Sequence, residues 1–305
     1  MGRTTRYDVK MDLIDNLSEI VQEKDRTNLY FLNNDDLNKK TIIADAVSAG
    51  FSAMNLHFTT ENTKSHDLAG TTYMCSDELL YRHRNISIPT DYHEQERSKN
   101  FTALVRTHKL WRAYTMARLW SKGLHEKAYF GYNTNITAED DSPIIDIENF
   151  GSLKHHTEFF LKLAPFHCDL LNSNEHANME FTVNIHHDDA YFNFVLESNL
   201  TGPVRLTEKV FKAIKHCQPF VIAGAKGSIQ QLREMGYKTF DTVVDHSYDS
   251  IEDPTERWNA VCTEMCRIAK SKKIHSMFTE CKEDLIHNQQ QFLNKRSSTI
   301  LICLK

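Results

Sequence analysis

An acid and a base side by side, Glu208 and Lys209, follow Thr207 and precede Val210, Phe211, Ile214 and Cys217. The apolar residues recur at helical spacing, so the spacing predicts a helix with Thr207 as its N-cap and the charged pair in its first turn. Backbone N–H groups there lack intrahelical partners, and the helix dipole favours an anion. A cation is mildly disfavoured at that place unless an anionic ligand shares the site. Lys209 thus invites a phosphate, although alone it also fits a solvated side chain. Upstream, Glu197, Ser198 and Asn199 end the run Tyr191-Phe192-Asn193-Phe194-Val195-Leu196. That run has no Gly or Pro and suits a strand covered on both faces. A polar strand end facing a helix mouth, with a lysine to hold phosphate, is the layout of a nucleotide pocket.

Such a pocket needs a framework of alternating strands and helices. From Phe101 the pattern supplies one: a strand over 101–106, the polar stretch Thr107-His108-Lys109, a helix to about 122, and a strand over 128–132. Residues 133–150 interrupt it, and 157–163 read as helix. Residues 219–223 read as a buried strand. Gly224-Ala225-Lys226-Gly227 follows as a turn, with Ser228 capping a helix that stops at Gly236. Residues 256–270 and 280–294 read as two final helices. Nearer the N-terminus, 11–23 and 35–49 read as helices, 28–33 and 51–58 as strands, and the polar, turn-rich 59–98 as a boundary. The expectation is an α/β protein of two Rossmann-like domains facing a cleft, the first reduced (1–98) and the second larger (99–305).

Composition sets the class. A chain of 305 residues, 40 % hydrophobic and 25 % charged, can bury one large core or two modest ones. The net charge of −5 gives no general pull toward nucleic acid or anionic membrane. Seven cysteines without regular spacing fit a reduced cytoplasm better than a disulfide framework. No apolar run reaches the length of a membrane span, and no signal-peptide core opens the sequence. A cytoplasmic protein is expected.

The segment from Phe192 resembles the donor half of GT-B glycosyltransferases, most closely the α-1,3-fucosyltransferase family. There a strand F-x-L-x-F-E-N-S leads through a loop to Y-[VI]-T-E-K. Here residues 192–199 fill the strand, with Glu197 in the Glu position and Ser198 replacing the Asn, and Thr207-Glu208-Lys209 is intact. Upstream, the family has a strand, a short polar loop and then an Arg in a helix, which Arg112 matches. The chain is also similar to glycosyltransferase-like sequences of phage genomes, through Leu206-Thr-Glu-Lys-Val-Phe-Lys, Pro219-Phe-Val-Ile and Gly236-Tyr-Lys-Thr-Phe240. The resemblance covers residues 101–250. It implies an inverting, metal-independent transferase acting on a nucleoside-diphosphate sugar, with no other cofactor. Lys209 and Arg112 would contact phosphate, Glu208 the ribose, and Ser198 and Asn199 the nucleotide or sugar, with Glu197 and Thr207 completing the donor site. The acceptor would be a glycan or a hydroxymethylated base in phage DNA, extruded toward the cleft.

Other constellations carry less. A general base in an enzyme of this kind comes from the N-terminal domain; Glu61 sits at a plausible strand end, with Asp35 and Asp36 as competitors. His186 and His187, if on a strand, face opposite ways and cannot share an ion. Asp188-Asp189 and Asp140-Asp141 lack the spacing of a metal-binding D-x-D element, so no metal is expected. The Gly224–Gly227 turn could cradle an anion but is no Walker loop. Arg106, His108, Lys109, Arg112, Arg118, Lys122, His125 and Lys127 make one segment basic, which reads as a solvated surface or as the phosphate-contacting rim that a DNA-modifying enzyme needs. Cys262, Cys266 and Cys281 read as core. A catalytically degenerate nucleotide-binding module, acting as sensor or scaffold, is the alternative from another class.

Overall fold

The run from Ala190 to Leu196 is buried at all seven positions, as is Phe220–Ala223, and an apolar strand without alternation has to be covered on both faces. In the computed structural model the described residues are 5–9, 28–32, 48, 56–58, 92, 94–134, 145–166, 184–202, 204–294 and 299–304. Contacts divide the chain into two units, one of residues 1–85 with 292–305 and the other of residues 86–291.

The first unit holds β1 (Thr5–Val9), β2 (Asn28–Leu32), β3 (Leu56–Phe58) and, from the far end of the chain, a last strand over Thr299–Leu304. They form a parallel sheet in which the last strand lies between β1 and β2, pairing Tyr7 with Ile302 and Phe31 with the same residue. Neither β1 nor this C-terminal strand is among the expected elements. The expected helices over 11–23 and 35–49 lie outside the described residues, save Ser48, which is helical. Glu61, Asp35, Asp36 and Asp140-Asp141 also lie outside them.

The second unit is the regular α/β body. Its elements run β4 (Lys99–Val105), α1 (Leu110–Ser121), β5 (Ala128–Tyr132), α2 (Leu153–Leu163), α3 (Asn184–Asp188), β6 (Ala190–Leu196), α4 (Glu208–Lys215), β7 (Phe220–Ala223), α5 (Ser228–Glu234), α6 (Pro254–Lys270), α7 (Ile274–Glu280) and α8 (Lys282–Asn294). The first unit's last strand, Thr299–Leu304, follows as β8. The sheet is parallel in the order β5-β4-β6-β7, compatible with a Rossmann-like fold. From β4 the chain steps to one side, then returns past β4 to place β6 on the other. That reversal is a topological switch point, and it lies between the carboxyl ends of β4 and β6.

Aromatic packing seals the sheet. The rings of Phe101 on β4 and Phe194 on β6 stack at 4.2 Å, a contact worth about 0.5–1.5 kcal/mol beyond the area it buries. Trp258 on α6 donates to Thr115 on α1 (2.9 Å), tying together the helices that follow β4 and precede the C-terminal turns. Asp253 caps α6 by accepting from the Glu256 amide, with Pro254 in the first turn. The Gly236 stop is as expected: with φ of 88° it closes α5, and the Tyr237 and Gly236 amides bond back to Leu232 and Arg233.

Three local expectations are corrected. His186 and His187 lie on the short helix α3, not on a strand. Gly227, at φ of 86°, holds the N-cap place of α5, while the Ser228 hydroxyl bonds to the Ala225 carbonyl instead of capping. Tyr92 and residues 94–98, read as boundary, belong to the second unit. The Tyr92 hydroxyl bonds to the His216 carbonyl, Arg97 donates to the Ala190 carbonyl at 2.6 Å, and Ser98 bonds to Asp189. The Arg97 guanidinium lies 4.1 Å and 4.3 Å from the ring centres of Tyr92 and Phe278.

Candidate functional site

Glu197 is the first residue past β6, and its amide still bonds to the Ala223 carbonyl of β7. The residue is fully buried. Both carboxylate oxygens are bonded: one accepts from the Thr207 amide at 3.0 Å, the other from the Thr207 hydroxyl at 2.5 Å. Burial pushes the carboxyl up, against the pull of Lys209 and of the Thr207 hydrogen bonds. Gly224 leaves room for this arrangement. A Cβ there would stand 2.9 Å from Ser228 Oγ and 3.5 Å from Glu197 Cβ.

Thr207 takes the N-cap position of α4 without a side-chain capping bond; its hydroxyl donates to Glu197 instead. The same oxygen accepts from Lys209 Nζ at 2.9 Å. Lys209 also lies 3.2 Å from Glu208 and 3.9 Å from Glu197. Burial works against ionisation of Glu208, but Lys209 and then Lys212 outweigh it and hold its carboxyl at about 2. Both side chains of the pair are partly exposed at the helix mouth.

Arg112 comes from the opposite side of the switch point. It is 3 % exposed and donates to the Glu197 carbonyl from Nε (3.1 Å) and Nη2 (2.6 Å), and to the Thr107 carbonyl from Nη1 (3.0 Å). One guanidinium thus clamps the loop after β4 to the end of β6. Lys209 and Arg112 therefore meet on the same residue, the first at its carboxylate and the second at its main-chain oxygen. Arg112 is engaged with carbonyls where a phosphate contact was expected. Ser198 and Asn199 are half-buried beside it, and their side chains form no hydrogen bond among the described residues. His108, expected only as part of the basic segment, has its Nδ1 2.6 Å from the Tyr132 hydroxyl across the ends of β4 and β5. A histidine two residues before a helix carries no signal of that pairing.

The remaining candidates disperse. After the Gly224–Gly227 turn, the Asp249 carboxylate accepts from the amides of Ile229 and Gln230 at 3.1 Å each and supplies the negative charge at the start of α5. His187 faces inward to Gln218 (2.9 Å), whereas His186 packs on Tyr129. No cluster fit for a metal occurs among the described residues. The basic segment divides as well: Arg118 bonds to Asn259 at 2.7 Å, Lys109 and Arg112 are buried, and Arg106, Lys122 and Lys127 are exposed. Cys262, Cys266 and Cys281 are buried thiols. No helix of the described residues is long and apolar enough to cross a membrane.

A cavity of about 870 Å³ lies beside this site, not in it, between α5, the 241–247 loop and α6; Lys226, Arg233, Asp241, Asp245 and Arg267 line it. Its charges are paired with one another or with neighbours: Arg233 with Asp241 at 2.7 Å, Arg267 with Glu264 at 2.6 Å. Geometry at the switch point, not volume, singles out the Glu197 cluster. No protein-family model matches the chain, and no curated protein matches it at a significant level.

Proposed function

We propose that the chain is a glycosyltransferase of the GT-B type, moving a sugar from a nucleoside-diphosphate sugar to an acceptor hydroxyl with inversion. The convergence of Arg112 and Lys209 on Glu197 at the β4/β6 switch point carries this reading. Open α/β sheets bind ligands in the crevice beyond the carboxyl ends of their strands, where the order reverses. Displacement at an anomeric carbon develops negative charge on the departing diphosphate. An ammonium at an uncapped helix mouth is suited to meet that charge. In this reading Lys209 touches phosphate and is a catalytic residue, Arg112 holds the crevice in shape, and Ser198 and Asn199 offer hydrogen bonds to the donor. Glu208, released from Lys209, takes donor hydroxyls. The acceptor is a glycan or a hydroxymethylated base in DNA.

The test is release of free nucleotide from individual nucleoside-diphosphate sugars, with wild type and Lys209→Ala compared. Loss of one such charge donor typically costs 10²–10³ in turnover, so the variant should fall about that far. Undiminished turnover in Lys209→Ala, or none in the wild type with any donor, overturns the proposal. The second outcome would leave a nucleotide-binding module.

A further inference from the structure

Glu197 is fully buried, so a ligand in the crevice cannot touch its carboxylate. Its hydrogen bonds run one way. The Thr207 hydroxyl has one proton, donated to Glu197 at 2.5 Å, which turns the lone pairs of that oxygen toward Lys209 Nζ at 2.9 Å. The Thr207 amide occupies the other carboxylate oxygen. We propose that Glu197 is a positioning residue: through the Thr207 hydroxyl and its own charge it holds the Lys209 ammonium at the mouth of α4. The purpose of that holding rests on the transferase reading; the holding itself does not.

The groups facing the carboxylate define the alternatives. Lys209 and Glu208 approach it from α4, Thr207 from the loop before, and Arg112 from α1 reaches its main-chain oxygen. Glu208 also binds Lys209, at 3.2 Å, so Lys209 could be ordered by Glu208 alone. Glu197→Gln separates the two. The amide is isosteric and still accepts from the Thr207 N–H, but its NH₂ then competes with Lys209 for the Thr207 oxygen, and the charge is gone.

The experiment is heteronuclear NMR of the Lys209 ammonium in ¹⁵N-lysine-labelled full-length protein, assigned by its disappearance in Lys209→Met. In the wild type its protons should exchange slowly with water. In Glu197→Gln, shown folded by circular dichroism, exchange should quicken by about tenfold, the loss of one hydrogen bond to a charged group. A purely structural role would lower stability and leave that rate alone. Should Glu197→Gln fail to fold, Thr207→Val removes the same relay and must give the same acceleration. A wild-type Lys209 already in fast exchange, or a rate unmoved by these variants, overturns the proposal. Inorganic pyrophosphate added to the wild type tests the transferase reading separately. If the Lys209 resonance does not shift, that reading fails while the positioning role stands.

Discussion

Arg112→Met sets the clamp against the phosphate contact that its sequence neighbourhood suggests. The guanidinium makes three hydrogen bonds to two main-chain carbonyls, Glu197 and Thr107, from a buried position. Each bond from a charged donor is worth about 1.5–3 kcal/mol net, and an acceptor left buried without a donor costs about 1–3 kcal/mol. The three share one side chain and do not add. Methionine also fills most of the vacated space and removes a buried charge. The net loss should be about 3 kcal/mol. At about 2–4 °C per kcal/mol for a domain of this size, the midpoint of thermal unfolding falls by about 6–12 °C. Arg112→Lys is the sharper comparison, because one ammonium cannot bridge two carbonyls in a fixed fork, and it should lose about half as much. Calorimetry of the wild type and both variants reads this directly. If Arg112→Met stays within about 0.5 kcal/mol of wild type, the clamp is not a structural bond set, and the reasoning from these distances fails.

Two further perturbations follow from single side chains. Asp249→Ala removes the carboxylate that accepts from the first-turn amides of α5, and urea unfolding should show a loss of about 1–2 kcal/mol; an unchanged midpoint would mean the cap is ornamental. His187 gives a pH signature. Burial first, and then neighbouring His216, hold its imidazole well below the usual value, so the unfolded chain takes up that proton at a higher pH than the folded one. Its contribution to stability is intact above about pH 6.5 and declines as pH falls below it. The slope is at most about 1.4 kcal/mol per pH unit. In His187→Asn the unfolding free energy between pH 7.5 and 5 should lose that component, and an unaltered slope would show that the proton is taken up elsewhere.

Much of the second unit was legible because its signals are local. The strand over 128–132 coincides with β5, the helix stop at Gly236 is an αL glycine, and the buried run through Leu196 is β6. The first unit was legible only in part. Its sheet is completed by Thr299–Leu304, about 240 residues after β3 along the chain, and parallel pairing at that separation leaves no trace in local periodicity. The apolar, β-branched run Thr-Ile-Leu-Ile-Cys-Leu was a strand signal, but what it pairs with was not. The His186-His187 pair misled for a different reason: a short helix of polar residues has no apolar stripe to announce it.

The site shows the same division between type and partner. That Glu197, Thr207, Lys209 and Arg112 share one site was implied by the family resemblance; that they bond to one another could not be, because hydrogen-bond direction depends on tertiary contact. Their mutual engagement has a consequence for how an anion would enter. Lys209 lies between one carboxylate that is buried, Glu197 (3.9 Å), and one that is partly exposed, Glu208 (3.2 Å). Glu208, partly exposed, can be re-solvated when its partner leaves, whereas a buried carboxylate left without its partner costs about 3–5 kcal/mol. A diphosphate would therefore displace Glu208 and leave Glu197 in place. On the proposed reading Lys209 pivots about the Thr207 hydroxyl, keeping its buried anchor while exchanging its exposed partner for phosphate. The same exchange parts the Glu208 carboxylate from Lys209 beside the bound ligand, at the moment when donor hydroxyls arrive to be gripped. Binding and recognition would then be two halves of a single swap of partners at the mouth of α4.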